Sequence, residues 1–167
     1  GFYYSRYAAP EKGQELKEQN LNQKLYFHRV GDPQSKDRLV YERPDNPKWG
    51  LHGGETEDGK YLIISVSLGT KDENAFFYRD LTAGPDAPVV ELLPAFDADY
   101  TLVGTEDSVF YFLTTNGAPN KRVIALDVKS PAKENWRTII PESPQVITGA
   151  HFLSGKWIIE RMKDAHD

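Results

Sequence analysis

The stretch "DGKYLIISVSLG", residues 58 to 69, opens on an acidic tight turn, runs through a strand and stops at a glycine. With a side-chain period of two, Leu62, Ile64, Val66 and Leu68 fall on one face, and Tyr61, Ile63, Ser65 and Ser67 on the other. A sheet with one wet face would be polar along the whole of its second side. Apolar residues on both sides instead describe a sheet held between two neighbours. Similar stretches recur at "EDSVFYFLTT" (106 to 115), at "SGKWIIERM" (154 to 162) and, without the leading turn, at "GFYYSRY" (1 to 7). Phe2, Tyr61, Val109 and Trp157 then mark equivalent points, 59, 48 and 48 residues apart.

Other strand classes keep the same order around this one. A second class reads "KLYFHRVG" (24 to 31), "AFFYRDL" (75 to 81) and "KRVIALDV" (121 to 128). A third reads "RLVYERP" (38 to 44), "VVELLPAF" (89 to 96) and "WRTIIPES" (136 to 143), each stopping at or near a proline that cannot donate to a ladder. A fourth precedes each tight turn: "WGLHGGET" (49 to 56), "DYTLVGTE" (99 to 106) and "QVITGAHF" (145 to 152). Four short strands in a unit of about forty to fifty residues are the signature of β-propeller blades. The turns Glu57-Asp58-Gly59 and Glu106-Asp107-Ser108 put small or side-chain-capping residues where a hairpin requires them.

The expected fold is therefore all-β and holds about three blades: residues 1–44 as a blade lacking its first strand, 45–96 and 97–144 as full blades, and 145–167 as the first two strands of another. Propellers close with about four to eight blades, so the segment is expected to belong to a larger propeller or to complete itself with another copy. Its open blade edges would favour self-association. "AAPEKGQELKEQNLNQ", residues 8 to 23, departs from the repeat and explains the longer first step. Leu16 and Leu21 are five apart and Gly13 interrupts, so it reads as a charged surface loop.

Composition excludes several classes of function. The 167 residues carry a net charge of −5, and the 20 basic residues are scattered without a run or stripe that would follow a phosphate backbone, so nucleic acid is not an expected partner. Apolar runs are strand-sized and no membrane association is expected. The absence of cysteine removes disulfide and thiolate chemistry and fits a reducing compartment; the cytoplasm is the expected location, with the periplasm as the alternative.

Chemistry-bearing motifs are sparse. The four histidines, His28, His52, His151 and His166, lie in no metal-ligand spacing and read as packing or hydrogen-bonding residues, with the terminal Asp164, His166 and Asp167 read as a chain end. No G-x-S-x-G exists, and Ser154 reads as part of a hairpin turn. Glu55 to Gly59 and Asp97-Ala98-Asp99 lack the alternating ligands of a calcium loop and read as turn chemistry. Gly50, Gly53 and Gly54 are followed by neither the lysine nor the helix of a phosphate-binding loop. Most aromatic residues alternate along strands and serve packing. Trp49 differs, because it follows Pro47-Lys48 at the mouth of an innermost strand.

On "QKLYFHRVGDPQSKDRLVYERPDNPKWG" and "TEDGKYLIISVSLGTKDENAFFYRDL", the chain resembles the propeller of the prolyl oligopeptidase family, and more loosely so through "YTLVGTEDSVFYFLTTNGAPNKRVIALDV" to "ENWRTIIPES". The resemblance implies a seven-bladed propeller capping an α/β-hydrolase domain that cleaves short peptides after proline. It implies acyl transfer through a serine with an oxyanion hole and no cofactor, and no catalytic residue in this segment. It places Gly50 and Thr70 on the substrate cavity, Trp49 beside them and Ser67 where some members carry arginine. It also puts residues 8 to 23 at a loop that gates access. The implied partners are the hydrolase domain of the same parent chain and a short peptide substrate. Two other readings stay open: a propeller used as a binding or scaffolding module without catalysis, and a related oligopeptidase that cleaves after basic residues.

Overall fold

In a computed structural model of the chain, residues 1–7, 20–84, 86–153 and 155–162 are described. Thus most of residues 8–23, Ser154 and the terminal Asp164, His166 and Asp167 of the sequence reading lie outside the described residues. Thirteen strands, all paired antiparallel and joined by short 3₁₀ turns, make up the ordered elements among the described residues. The all-β expectation holds.

The chain forms two compact units, Gly1–Pro94 and Ala95–Asp167. The first contains two sheets. One is three-stranded, in the order β1 (Phe2–Arg6), β2 (Lys24–His28) and β3 (Arg38–Glu42). The other is four-stranded, with β4 (Trp49–Glu55), β5 (Tyr61–Leu68), β6 (Asn74–Asp80) and β7 (Val90–Leu93) in sequence order. The stretch "DGKYLIISVSLG" supplies β5. Its Leu62, Ile64 and Val66 are fully buried, and Tyr61 on the opposite face is also buried, as a sheet covered on both sides requires. The two sheets meet through Leu25, whose methyl groups fill the space that a side chain at Gly53 would need, and through the edge contact of Tyr41 with Phe77.

The second unit repeats this plan. β8 (Tyr100–Glu106), β9 (Val109–Thr114), β10 (Arg122–Asp127) and β11 (Arg137–Ile140) form one sheet, and β12 (Ile147–Leu153) with β13 (Lys156–Arg161) the other. Their shared core contains Leu113, Val123, Ile147 and Ala150, with Val103, Ile139, Ile140, Trp157 and Ile159 packed against it. Phe152 comes so close to Gly104 that a Cβ there would sit 2.9 Å from that of Phe152. A glycine in mid-strand marks such a close approach of neighbours.

Two recurrent features were not visible in the hydrophobic pattern. Each outer strand is bulged at the same place: Val40 of β3, Leu92 of β7 and Ile139 of β11 have no partner, opposite the steps Leu25 to Tyr26, Phe76 to Phe77 and Val123 to Ile124. A 3₁₀ turn precedes each outer strand, at Gln34–Lys36, Leu81–Ala83 and Lys133–Asn135. A bulge inserts an unpaired residue and adds local twist, so the outer strand bends at an equivalent point in each copy.

The acidic turns use their side chains on the backbone. Asp58 accepts hydrogen bonds from Thr56 Oγ1 at 2.7 Å and from the Lys60 amide at 3.1 Å, while Gly59 takes a φ of 68°. The Thr56 hydroxyl holds the Asp58 carboxyl below the usual carboxylate range. Asp97 accepts from the Tyr100 hydroxyl at 3.0 Å and Asp99 from Lys121 at 2.7 Å, so both carboxylates are engaged in holding the β8 turn.

Candidate functional site

The four residues singled out in the sequence cluster at one end of the β4–β5 hairpin. Antiparallel register puts Trp49 opposite Leu68 and Gly50 opposite Ser67. Thr70 is exposed in the turn that follows Leu68, where Gly69 takes a φ of 62° that suits glycine.

Because β4 has a period of two, His52 stands on the same face as Gly50. Its Nε2 lies 3.4 Å from Ser67 Oγ, and the imidazole is exposed. Of the two roles read for His52 from the sequence, packing or hydrogen bonding, the second is the one seen, from an accessible position beside Ser67. Gly50 lets the Ser67 hydroxyl pack against its backbone: a Cβ built on it would run into Ser67 Oγ, which already occupies that space. Asn74, paired with Ser67 in β6 and buried, donates from Nδ2 to Ser65 Oγ at 3.1 Å. This end of the hairpin thus presents an exposed imidazole beside a hydroxyl that is seated against glycine.

Trp49 is held from behind. Its ring lies 6.0 Å from that of Phe77, and the Arg43 guanidinium sits 4.6 Å from the indole centroid. Arg43 is itself fixed by Asp45, donating from Nε to Oδ1 at 2.9 Å and from Nη2 to Oδ2 at 2.9 Å, with Glu91 Oε1 2.5 Å from Nη1. The paired hydrogen bonds from Arg43 lower the Asp45 carboxyl below its ordinary range and push the guanidinium further up. A planar cation clamped in this way serves as a rigid lid on the indole face. A hollow of about 330 Å³ lies in front of the same tryptophan, lined by Asp45, Asn46, Pro47, Lys48, Trp49 and Leu68. A second, of about 410 Å³, is lined by Asn22, Gln23, Lys24, Glu42, Arg43 and Pro44.

The backbone between Gly50 and His52 is fixed from the neighbouring sheet. Leu51 donates its amide to Gln23 Oε1 at 2.5 Å and accepts at its carbonyl from Ser5 Oγ. The Asn22 amide bonds the Pro47 carbonyl at 2.7 Å just upstream. Strand patterning carries no signal for Gln23 or Ser5, since they act through a different sheet. His52 had a signal, its spacing of two from Gly50.

Antiparallel sheets of up to four strands, repeating along the chain, define a β-propeller segment. The chain belongs to the family of prolyl oligopeptidase N-terminal β-propeller domains, which matches it over residues 1–167. It is 30% identical over 170 residues to a prolyl endopeptidase of Elizabethkingia meningoseptica, covering 100% of this chain and 23% of that protein. A solved structure from a structural and mechanistic analysis of two prolyl endopeptidases superposes with a TM-score of 0.84 at 28% identity, over 98% of this chain and 23% of that one. Prolyl oligopeptidase B from Galerina marginata, bound to a 35mer hydrolysis and macrocyclization substrate, superposes with a TM-score of 0.83 at 26% identity, over 94% and 22%. The chain thus spans less than a quarter of the length of these relatives.

Proposed function

We propose that this chain is the propeller segment of a serine-type prolyl oligopeptidase, where it caps the active site of an α/β-hydrolase domain and restricts access to short proline-containing peptides. The observation that carries this reading is the family match over residues 1–167. The 167 residues contain no nucleophile motif, so the serine that would form the acyl-enzyme, its base and its oxyanion hole belong to the hydrolase domain.

In this reading the present residues bind and orient, and none moves a proton in the reaction. Ser67 Oγ, seated against Gly50, and the exposed His52 Nε2 offer hydrogen bonds to the substrate. Trp49, stiffened by Arg43, forms an apolar wall, and Thr70 lies at the rim. Interactions of this kind contribute to catalysis by holding the peptide in a reactive orientation.

The test is an assay of the full-length protein with a fluorogenic peptide bearing proline before the scissile bond, beside a folded protein carrying the same sequence in a surface loop. The peptide should be cleaved, the folded protein left intact, and the isolated 167-residue chain inert. Cleavage after basic residues instead, or activity that follows the isolated chain, would overturn the proposal. The isolated chain should also self-associate, since Phe2 and Ile158 are each 52% exposed on outlying strands. Light scattering that shows only monomer at high concentration would contradict this.

A further inference from the structure

We infer that Gln23, together with Ser5, is a positioning residue for the substrate-facing wall; the inference rests on the function proposed above. β4 is an edge strand of its sheet, so one side of its backbone lacks a strand partner. At Leu51 that side is taken by two side chains of the same unit, Ser5 of β1 and Gln23 just before β2. Gln23 Oε1 accepts from the Leu51 amide at 2.5 Å, and Ser5 Oγ donates to the Leu51 carbonyl.

These two bonds act on two different peptide planes. The Leu51 amide belongs to the plane joining Gly50 to Leu51, and its carbonyl to the plane joining Leu51 to His52. Holding both fixes the backbone on either side of the wall residues, where glycine has more conformational freedom than any other residue. Leu51 itself is 1% exposed, so its side chain anchors the same residue in the core. Gln23 and Ser5 therefore determine where Gly50 and His52 sit without needing to touch the peptide.

The experiment compares Gln23→Leu, which removes the acceptor at similar size, with Gln23→Glu, which keeps it, in the full-length protein. For a proline-containing peptide of several residues, Gln23→Leu should raise KM about fivefold with kcat within about twofold, and Gln23→Glu should stay near the parent value, as expected for losing or keeping one hydrogen bond. Hydrogen exchange at the Leu51 amide should speed up about tenfold or more in Gln23→Leu alone, because the protecting acceptor is gone. An unchanged KM in Gln23→Leu, or equal losses in both variants with a falling Tm, would overturn the inference. Should the parent protein cleave no proline peptide, it is the proposed function that fails. The Leu51 amide then decides the clamp alone, and unchanged exchange in Gln23→Leu refutes it.

Discussion

In β4, Leu51 pairs with Val66 of β5, and in β8, Tyr100 pairs with Thr114 of β9; with Tyr61 and Val109 as equivalent points, Leu51 and Tyr100 hold the same place, and each strand opens its own four-stranded sheet. The frame is the same and the contents differ. Tyr100 is buried, and its hydroxyl donates to Asp97 and accepts from Asn116 Nδ2 at 3.0 Å, so its polar end is satisfied within the unit. Burial and the adjoining Asp97 push that phenol well above its ordinary pKa. Just before Leu51, Trp49 is half-buried under a clamped arginine, and Gly50 lies against the Ser67 hydroxyl. One inner strand begins on a buried phenol satisfied within the unit, while the other begins on a glycine seated on a hydroxyl beside the exposed imidazole of His52. A repeat provides the background, and a departure from it at an accessible position is where binding is to be sought.

The largest effect should be common to both regions. Phe77 and Phe112 are fully buried, and Phe77→Ala or Phe112→Ala should each cost about 3–5 kcal/mol in denaturant unfolding, through lost burial and the cavity left behind. Only Phe77→Ala removes a ring that packs on Trp49, so indole fluorescence should respond at the site in that variant alone.

A smaller change separates the two strands. Tyr100→Phe should cost about 1–2 kcal/mol, because buried Asn116 loses a partner. Thermal unfolding checks this, and an unchanged Tm would show that the β8 closure is not held by that hydroxyl.

The smallest effect concerns the turn between β4 and β5. Asp58 has a folded pKa below its unfolded value of about 3.9, chiefly through the Thr56 hydroxyl. Its contribution is therefore present above that value and is lost as pH falls through the folded pKa. Thr56→Val should move the Asp58 carboxyl midpoint, followed by NMR, up toward the ordinary range. A midpoint that stays put would assign the shift to another group.

Much of the architecture was legible before the coordinates. Apolar side chains on both faces of "KYLIISVSL" and the recurrence of Tyr61, Val109 and Trp157 pointed to sheets stacked on sheets, because burial on both sides leaves its mark on every residue of a strand. The bulges at Val40, Leu92 and Ile139 were not legible, since a single inserted residue alters register without altering composition. At the site, Gly50, Ser67 and Thr70 come from resemblance, Trp49 also from its place after Pro47-Lys48, and the residues that support them carry no sequence signal. Ser5 of β1 and Gln23, just before β2, act on Leu51 of another sheet, and no local pattern records a side chain's bond to a distant backbone. The strand period puts His52 on the face of Gly50, but a lone histidine by itself reads only as packing or hydrogen bonding.

The central claim, that the β4 wall meets the peptide and the β8 frame does not, is tested most directly by placing the same side chain on each strand, at Gly50 and at Thr101, an exposed position of β8. Gly50→Met and Thr101→Met would be assayed in the full-length protein with a proline-containing peptide. Gly50→Met should lower kcat/KM about tenfold by displacing the Ser67 hydroxyl, which occupies the space its Cβ would need, a loss on the scale of one misplaced contact in a binding site; Thr101→Met should leave it within about twofold. Equal losses in the two variants, or none in Gly50→Met, would contradict the account.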